Sequence, residues 1–179
     1  ELLKAKKDYG DARRSPIVVR EEAKAMSSVV KIPQEPMTIV MSAKGWIRAG
    51  KGHELDPKGL NYKSGDSYTA HVLGKTTDNA IFLDSLGKSY ALPVHSLPSV
   101  RGYGEPLTSK LSPASGAYFV SVLIAQEEDY YMLMSNSGYG FATEAANFYT
   151  KNKKGKSLVS IGSEEKLLPP QIINDPNKT

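Results

Sequence analysis

The rhythm of apolar and polar positions changes at Pro36. Before it, Leu2, Leu3 and Ala5 sit among lysines and Gly10 follows, so residues 1–14 read as the end of a helix that stops at Gly10. From Arg13-Arg14-Ser15-Pro16 onward, Pro16, Pro33 and Pro36 bracket a stretch with one short helix-compatible run, Arg20–Met26. That stretch reads as a solvated connector. Residues 1–36 are therefore expected to form an arm and linker, and residues 37–179 a separate β domain.

Beyond Pro36 the apolar runs are short and β-rich, and the same arrangement occurs three times. Met37-Thr38-Ile39-Val40-Met41-Ser42 is followed by Ala43-Lys44-Gly45 and then Trp46-Ile47-Arg48. Ala80–Leu86 leads to Gly87 and then Lys88-Ser89-Tyr90-Ala91-Leu92. Tyr131–Ser137 leads to Gly138 and then Tyr139-Gly140-Phe141-Ala142. A β-rich run, a short turn with glycine and a second β-rich run predict a hairpin each time. A small polar or acidic residue stands three before each glycine: Ser42, Asp84 and Ser135. The glycines lie 42 and then 51 residues apart, a period typical of blade-like repeats. The repeats fall at roughly 37–78, 79–128 and 129–173.

The repeat also fixes local readings. Thr143–Phe148 alone suggests a helical turn, but its counterpart Val94–Ser99 contains Pro98, so both are read as loops or single turns. Leu60, Leu111 and Leu158 open a further short strand or turn in each copy. Trp46, Tyr90 and Phe141 occupy second-strand positions and are expected in the core. By the same spacing a fourth hairpin glycine falls near position 188. Leu167–Ile173 then reads as the lead-in to a further strand pair, and the chain as part of a longer array.

Composition narrows the chemistry. The 179 residues are 40% hydrophobic and 23% charged, which suits a folded domain with a real core. No apolar run is long enough to span a bilayer, and the charged opening, Glu1–Lys7, is unlike a secretory signal. There are 0 cysteines, which excludes disulfides, thiol nucleophiles, zinc fingers and iron–sulfur clusters and fits a reducing compartment. Gly45–Lys51 matches the first seven positions of a phosphate-binding P-loop, but Gly52 replaces the required Ser or Thr and no helix follows. His53, His71 and His95 are scattered, no nucleophile elbow occurs, and Glu127-Glu128-Asp129 reads as a solvated turn.

The net charge is +4, divided evenly between residues 1–36 and the remainder. Such a value permits a polyanionic partner without requiring one. What recurs is a basic residue beside glycine: Arg48-Ala49-Gly50-Lys51-Gly52, Arg101-Gly102-Tyr103-Gly104 and Lys153-Lys154-Gly155-Lys156. Gly104 and Gly155 of the last two clusters lie 17 residues after their hairpin glycines; the first cluster comes earlier. Glycine permits close backbone approach to phosphate, and Arg or Lys supplies charge. Several such loops along one rim would form a curved basic track that sums weak contacts and favours bent DNA. Ordinary turns with solvated cations are the other reading, and spacing does not separate the two. The candidate contacts are Arg48, Lys51, Arg101, Lys110, Lys153, Lys154 and Lys156, with Lys44, Lys63, Lys88 and Lys151 as secondary candidates.

Four strings carry a family resemblance. Asp8–Ser15 resembles the segment after the long helical arm of bacterial type IIA topoisomerase A subunits. Gly45–Arg48 with Lys51-Gly52-His53, Gly59–Asp66, and Arg101–Thr108 resemble the topoisomerase IV group of those subunits. The resemblance covers nearly the whole chain. It implies a C-terminal DNA-binding domain of the β-pinwheel type: gyrase-A-type, propeller-like blades, here about three in an incomplete array, preceded by a short helical arm. It also implies a basic outer rim that binds and bends duplex DNA, positioning the transported segment for strand passage. Decatenation and relaxation would serve chromosome segregation, in the cytoplasm at the nucleoid and at the inner-membrane periphery.

The family's enzyme is a heterotetramer in which two A subunits join two B subunits, and it uses ATP and magnesium. The resemblance implies a cleaving tyrosine upstream of this chain and an ATP site on the B subunit. The fragment itself is therefore expected to be non-catalytic and to bind no cofactor. The gyrase box, Gln-Arg-Arg-Gly-Gly-Lys-Gly, is absent; Arg101–Gly104 is at best a degenerate relative of it. That favours topoisomerase IV over a gyrase A wrapping domain and implies bending without strong wrapping. A β-propeller interaction module with no DNA role is the alternative from another class.

Overall fold

The computed structural model describes residues 1–11, 32–162 and 165–173. It divides into two units, Glu1–Lys31 and Ile32–Thr179. In the first, α1 spans Leu2–Tyr9 and ends at Gly10, whose N–H donates to the Lys6 carbonyl at 2.9 Å. Lys6 and Lys7 occupy its last turn, where cations complement the helix dipole. The helix-compatible run at Arg20–Met26 lies outside the described residues.

Among the described residues the second unit contains eleven strands in three antiparallel sheets. β1 (Pro36–Ser42) and β2 (Trp46–Lys51) form the first hairpin, and β3 (Tyr68–Lys75) pairs with the outer side of β1. β4 (Asn79–Asp84) and β5 (Lys88–Pro93) form the second hairpin, followed by the short β6 (Glu105–Pro106) and by β7 (Phe119–Leu123), which pairs with β4. β8 (Tyr130–Met134) and β9 (Gly140–Glu144) form the third, followed by the short β10 (Lys156–Ser157). β11 (Gln171–Ile173) pairs with β8. The sheet orders are β3-β1-β2-β6, β7-β4-β5-β10 and β11-β8-β9.

All three hairpins fall where the repeat places them. Gly45, Gly87 and Gly138 have φ of 71°, 79° and 87°, a region that disfavours residues with a Cβ. The polar residue three positions before each glycine ties its turn. Ser42 Oγ accepts from the Trp46 N–H at 3.0 Å. Asp84 Oδ1 accepts from the N–H groups of Leu86 and Lys88, and its Oδ2 accepts from the Tyr90 hydroxyl at 2.8 Å. Ser135 Oγ lies 2.8 Å from Ser137 Oγ. Burial first, and then donation to Asp84, push the Tyr90 hydroxyl well above the ordinary tyrosine value. Val94–Ser96 and Ala145–Phe148 are single 3-10 turns, as their shared position in the repeat suggests.

The outer strands β3 and β7 are not anticipated by the sequence. β3 is half-buried with strict alternation along its length. Leu167–Ile173 also has a role within the array: Leu167 is buried, and β11 closes the third sheet against β8.

The sheets do not coincide with the repeats. β6 belongs to the second repeat in sequence but adds to the first sheet, with Trp46 opposite Pro106 and Ile47 opposite Glu105. β10 belongs to the third repeat but adds to the second sheet, with Ser89 opposite Lys156 and Lys88 opposite Ser157. The seams match: the Leu107 N–H donates to the Gly45 carbonyl, and the Leu158 N–H to the Gly87 carbonyl, each at 2.9 Å. Each of the first two sheets is thus completed by the following repeat.

Two cores lie between the three sheets. β4 supplies both, because alternate side chains of a strand point to opposite faces. Ala80 and Phe82 join Ile39, Met41, Ile47, Tyr90, Leu107 and Phe119 between the first and second sheets. Ile81 and Leu83 join Leu123, Tyr131, Leu133 and Phe148 between the second and third. Phe119 meets Tyr90 edge-on, with ring centroids 5.5 Å apart, and Tyr131 packs on Phe148 at the same distance. Tyr90 is fully buried as expected, but Trp46 is only half-buried and Phe141 is exposed. Phe141 lies on β9, to which no fourth strand is added among the described residues.

Candidate nucleic-acid interface

The three basic-glycine clusters occupy two different structural positions. The first lies within β2, the second strand of its hairpin. The second and third belong to the segments that reach back to the preceding sheet: the second lies directly before β6, and the third runs into β10 at Lys156. Their glycines approach protein rather than open space. A Cβ on Gly104, φ 85°, would sit 2.2 Å from the Ile47 carbonyl oxygen. One on Gly155, φ 77°, would sit 2.7 Å from the Tyr90 ring and 3.0 Å from the Ser89 carbonyl oxygen. These glycines therefore seat the seam between repeats, and the basic residues beside them are carried to the surface by that seam.

Arg48 does not stand on the surface. It is 4% exposed. Its Nη1 donates to the Gly102 carbonyl at 2.9 Å, and its Cζ lies 4.6 Å from the centre of the Tyr62 ring. Held there, this guanidinium ties the Arg101–Gly104 loop to β2. Arg101, by contrast, is exposed, and it and Arg48 are both among the residues around a small cavity between the Gly59–Asn61 and Val100–Tyr103 loops.

Other candidates gather around the first sheet. Trp46 and Arg48 are two apart on β2 and share a face. Lys63 Nζ lies 3.6 Å from the centre of the Trp46 ring, while Tyr62 covers Arg48. The Gly59–Asp66 string is thus a loop laid over β2 by two crossed cation–π contacts. Lys44 occupies the first hairpin turn, and its N–H donates to Asp66 Oδ1 at 3.0 Å. Burial pushes the Asp66 carboxyl up, but hydrogen bonds from Ser42, Lys44 and Ser67 outweigh it and hold the group below the ordinary carboxylate value. Tyr62, Trp46 and Asp66 organise this corner, and sequence reasoning singled out none of them for it.

The remaining cations differ in how free they are. Lys51 pairs with Glu35 at 2.7 Å. Lys110 lies 3.6 Å from the Glu105 carboxylate and donates to the Ser96 carbonyl. Lys156 donates to the Asn147 carbonyl at 2.8 Å. Lys88 is partly buried beside the second hairpin. Lys151 and Lys153 flank an open, largely apolar cavity of about 530 Å³ where Leu92, Leu111 and Tyr149 meet. Lys154 is exposed next to them. The candidates therefore form two groups: Lys44, Lys63 and Arg101 at the first sheet, and Lys151, Lys153 and Lys154 at the second seam.

Gly45–Lys51 lies on a hairpin and strand, so no helix N-terminus faces it. Among the described residues no three His, Asp or Glu side chains are grouped as metal ligands would be. The residues present do not fit a nucleotide or magnesium site.

No family model matches the chain. It is 46% identical over 175 residues, 98% of its length, to the A subunit of DNA topoisomerase 4 from Pseudomonas aeruginosa, and 45% identical over 175 residues to that of Escherichia coli K12. The chain spans 23% of the length of these relatives. Among solved structures it resembles the Escherichia coli ParC C-terminal domain, with a TM-score of 0.75 and 42% identity, covering 79% of this chain and 58% of that one. The DNA gyrase A C-terminal domain shares the fold at 14% identity, with a TM-score of 0.58 over 78% of this chain and 48% of that one. With its three blade-like sheets of the β-pinwheel type, the chain is homologous over nearly its whole length to DNA topoisomerase 4 A subunits, and over 79% of its length it shares the fold of the ParC C-terminal domain.

Proposed function

We propose that the chain is the DNA-binding C-terminal region of a topoisomerase IV A subunit. It binds and bends duplex DNA through phosphate contacts and positions the transported segment for strand passage. The observation that carries this reading is the 46% identity, over 98% of the chain, to the DNA topoisomerase 4 protein of Pseudomonas aeruginosa. The exposed cations around Lys44, Lys63 and Arg101, and around Lys151, Lys153 and Lys154, supply the matching electrostatics. Within the whole protein, ATP-dependent decatenation and relaxation with the B subunit and magnesium, in the cytoplasm at the nucleoid, follow from the same homology. Among the described residues no helix is long and apolar enough to cross a membrane.

Salt-titrated binding to a short duplex tests the reading. Each neutralised phosphate contributes a slope of roughly −0.9 in log K against log salt. A steep, sequence-independent salt dependence is expected. Negligible affinity at low salt, or affinity insensitive to salt, would overturn the reading in favour of a protein-interaction module. A full-length protein that introduces negative supercoils with its partner would point to gyrase instead.

A further inference from the structure

The two seams between repeats are built alike but close differently. In the first, the Ala49 N–H donates to the Pro98 carbonyl at 2.8 Å, and the Ala49 carbonyl takes the Val100 N–H at 3.0 Å. Ser99 thus forms a parallel bridge to Ala49 before the chain turns back into β6. In the second seam the equivalent of Ala49 is Ala91, since each stands four residues after its hairpin glycine. Tyr149–Lys151 match Pro98–Val100 by the same measure. Yet no such bonds form there. Among the described residues the Ala91 backbone has no hydrogen-bond partner outside β4.

The Ala91 N–H and carbonyl nonetheless face the seam. Successive residues of a strand turn these groups to alternate sides. The Gly87 carbonyl takes the Leu158 N–H, and Ser89 stands opposite Lys156, so Ala91, two further on, turns the same way. The Tyr149–Lys153 segment is held by other bonds instead. The Tyr149 hydroxyl donates to the Ala125 carbonyl at 2.6 Å, and the Lys153 carbonyl takes the Ser112 N–H at 2.8 Å. Ala91 and this segment are walls of the cavity of about 530 Å³, and Ala91 is half-buried where Ala49 is buried. Leu92, Leu111 and Tyr149 make the lining apolar. Lys151 and Lys153 are exposed on it and form no ion pair among the described residues. No acidic residue lines it.

We propose that this cavity docks an extended segment of a partner protein, which adds a short parallel strand at Ala91 as Pro98–Val100 does at Ala49. An unpaired N–H and carbonyl on a strand edge is a template for such pairing, and pockets beside the edge give it specificity. The chemistry of the partner follows from the walls. An apolar side chain packs against Leu92, Leu111 and Tyr149, and an acidic residue just beyond it meets Lys151 and Lys153. The first seam supplies the pattern of the guest, because its own Leu97-Pro98-Ser99-Val100 run is what occupies the equivalent place. The inference does not rest on the DNA-binding reading.

Amide NMR with hydrogen exchange on the full chain tests the site. The probe is the peptide acetyl-Leu-Pro-Ser-Val-Asp-Glu-amide, which joins the first-seam run to two acidic residues. In the free chain the Ala49 amide should be protected and the Ala91 amide should exchange fast. The peptide should shift the Ala91, Leu92 and Thr150 amides saturably and slow Ala91 exchange about tenfold or more. N-methylation of the peptide valine removes the donor to the Ala91 carbonyl and should abolish binding. Lys151→Gln with Lys153→Gln, both at exposed positions, should weaken it severalfold. Three outcomes would overturn the proposal. An Ala91 amide as protected as Ala49 in the free chain would mean that the chain's own Tyr149–Lys151 segment closes the seam. Protection that grows with protein concentration would make a second copy of the chain the occupant. No shift, or equal binding of the N-methylated peptide, would show that no strand is added at Ala91.

Discussion

Replacing Gly104 with alanine should unseat β6 from the first sheet. The new Cβ would lie 2.2 Å from the Ile47 carbonyl oxygen and 2.9 Å from its carbon, both rigid backbone atoms. A positive φ at a non-glycine residue adds about 1–2 kcal/mol of strain. Relief requires β6 to move, which places the hydrogen bond from Leu107 N–H to Gly45 at risk, worth about 0.5–1.5 kcal/mol. It also loosens Leu107, which is fully buried, and partial loss of that packing adds about 1–2 kcal/mol. The sum, about 2.5–5.5 kcal/mol, is a large part of a typical domain stability of about 5–15 kcal/mol. Trp46 is the only tryptophan and stands opposite Pro106, so its fluorescence in a urea titration reports this seam. Gly102→Ala is the control, because a Cβ there meets nothing within 4 Å and its φ is not positive. That variant should stay within about 0.5 kcal/mol of wild type. A Gly104→Ala protein as stable as wild type, or a Gly102→Ala protein equally weakened, would refute the reasoning.

Other expectations concern charge, pH and packing. Lys153→Gln and Lys154→Gln should each weaken duplex binding modestly and together reduce the magnitude of the salt slope by about 2. The Tyr90 hydroxyl is raised in the fold, so its contribution is fully present below the unfolded value near 10 and is lost as pH rises through the folded value. Urea midpoints measured above pH 10 should therefore fall for the wild type and fall less for Tyr90→Phe, which at neutral pH loses about 1–3 kcal/mol through the unpaired Asp84 oxygen. Asp66 is lowered, so its contribution is present above the unfolded value near 3.9 and is lost as pH falls through the folded one. Asp66→Asn should flatten that acid limb in the same titration. Phe82→Ala removes a fully buried ring from the core shared by the first two sheets and should cost about 3–5 kcal/mol by thermal or urea unfolding.

Much of the fold was legible because hairpins are local. A β-rich run, a polar residue, a glycine three positions later and a second run specify each turn through contacts within about five residues, and all three were placed. The seams were not legible as pairings. β6 and β10 are two residues long, and their partners lie far away in sequence, so no periodicity marks them. Their only sequence mark was the glycine of each basic cluster, which reads equally well as a phosphate-approach loop until Ile47 and Tyr90 are seen beneath it. β3 was missed because its inner positions, Tyr68, Ala70, Val72 and Gly74, are only half-buried and include a glycine, and Leu73 on the exposed face blurs the alternation. Among site residues, Lys44, Lys63, Arg101, Lys151, Lys153 and Lys154 stand at the surface, while Arg48 does not. Charge and glycine neighbours were visible in the string; that the Arg48 face of β2 is covered depended on the Gly59–Asp66 loop folding over it.

The seams also govern what a break in the chain can do. The first sheet is unfinished until Pro106 has been synthesised, and the second until Ser157, so neither of the first two repeats completes its sheet as it leaves the ribosome. A protease nick at the exposed Glu127-Glu128 turn would separate the second and third repeats in covalent terms only. β10 would still clasp β5, and Leu158 and Phe148 would still be packed behind it. The two pieces should migrate together until denatured, as links of a chain do after one link is cut beside the clasp.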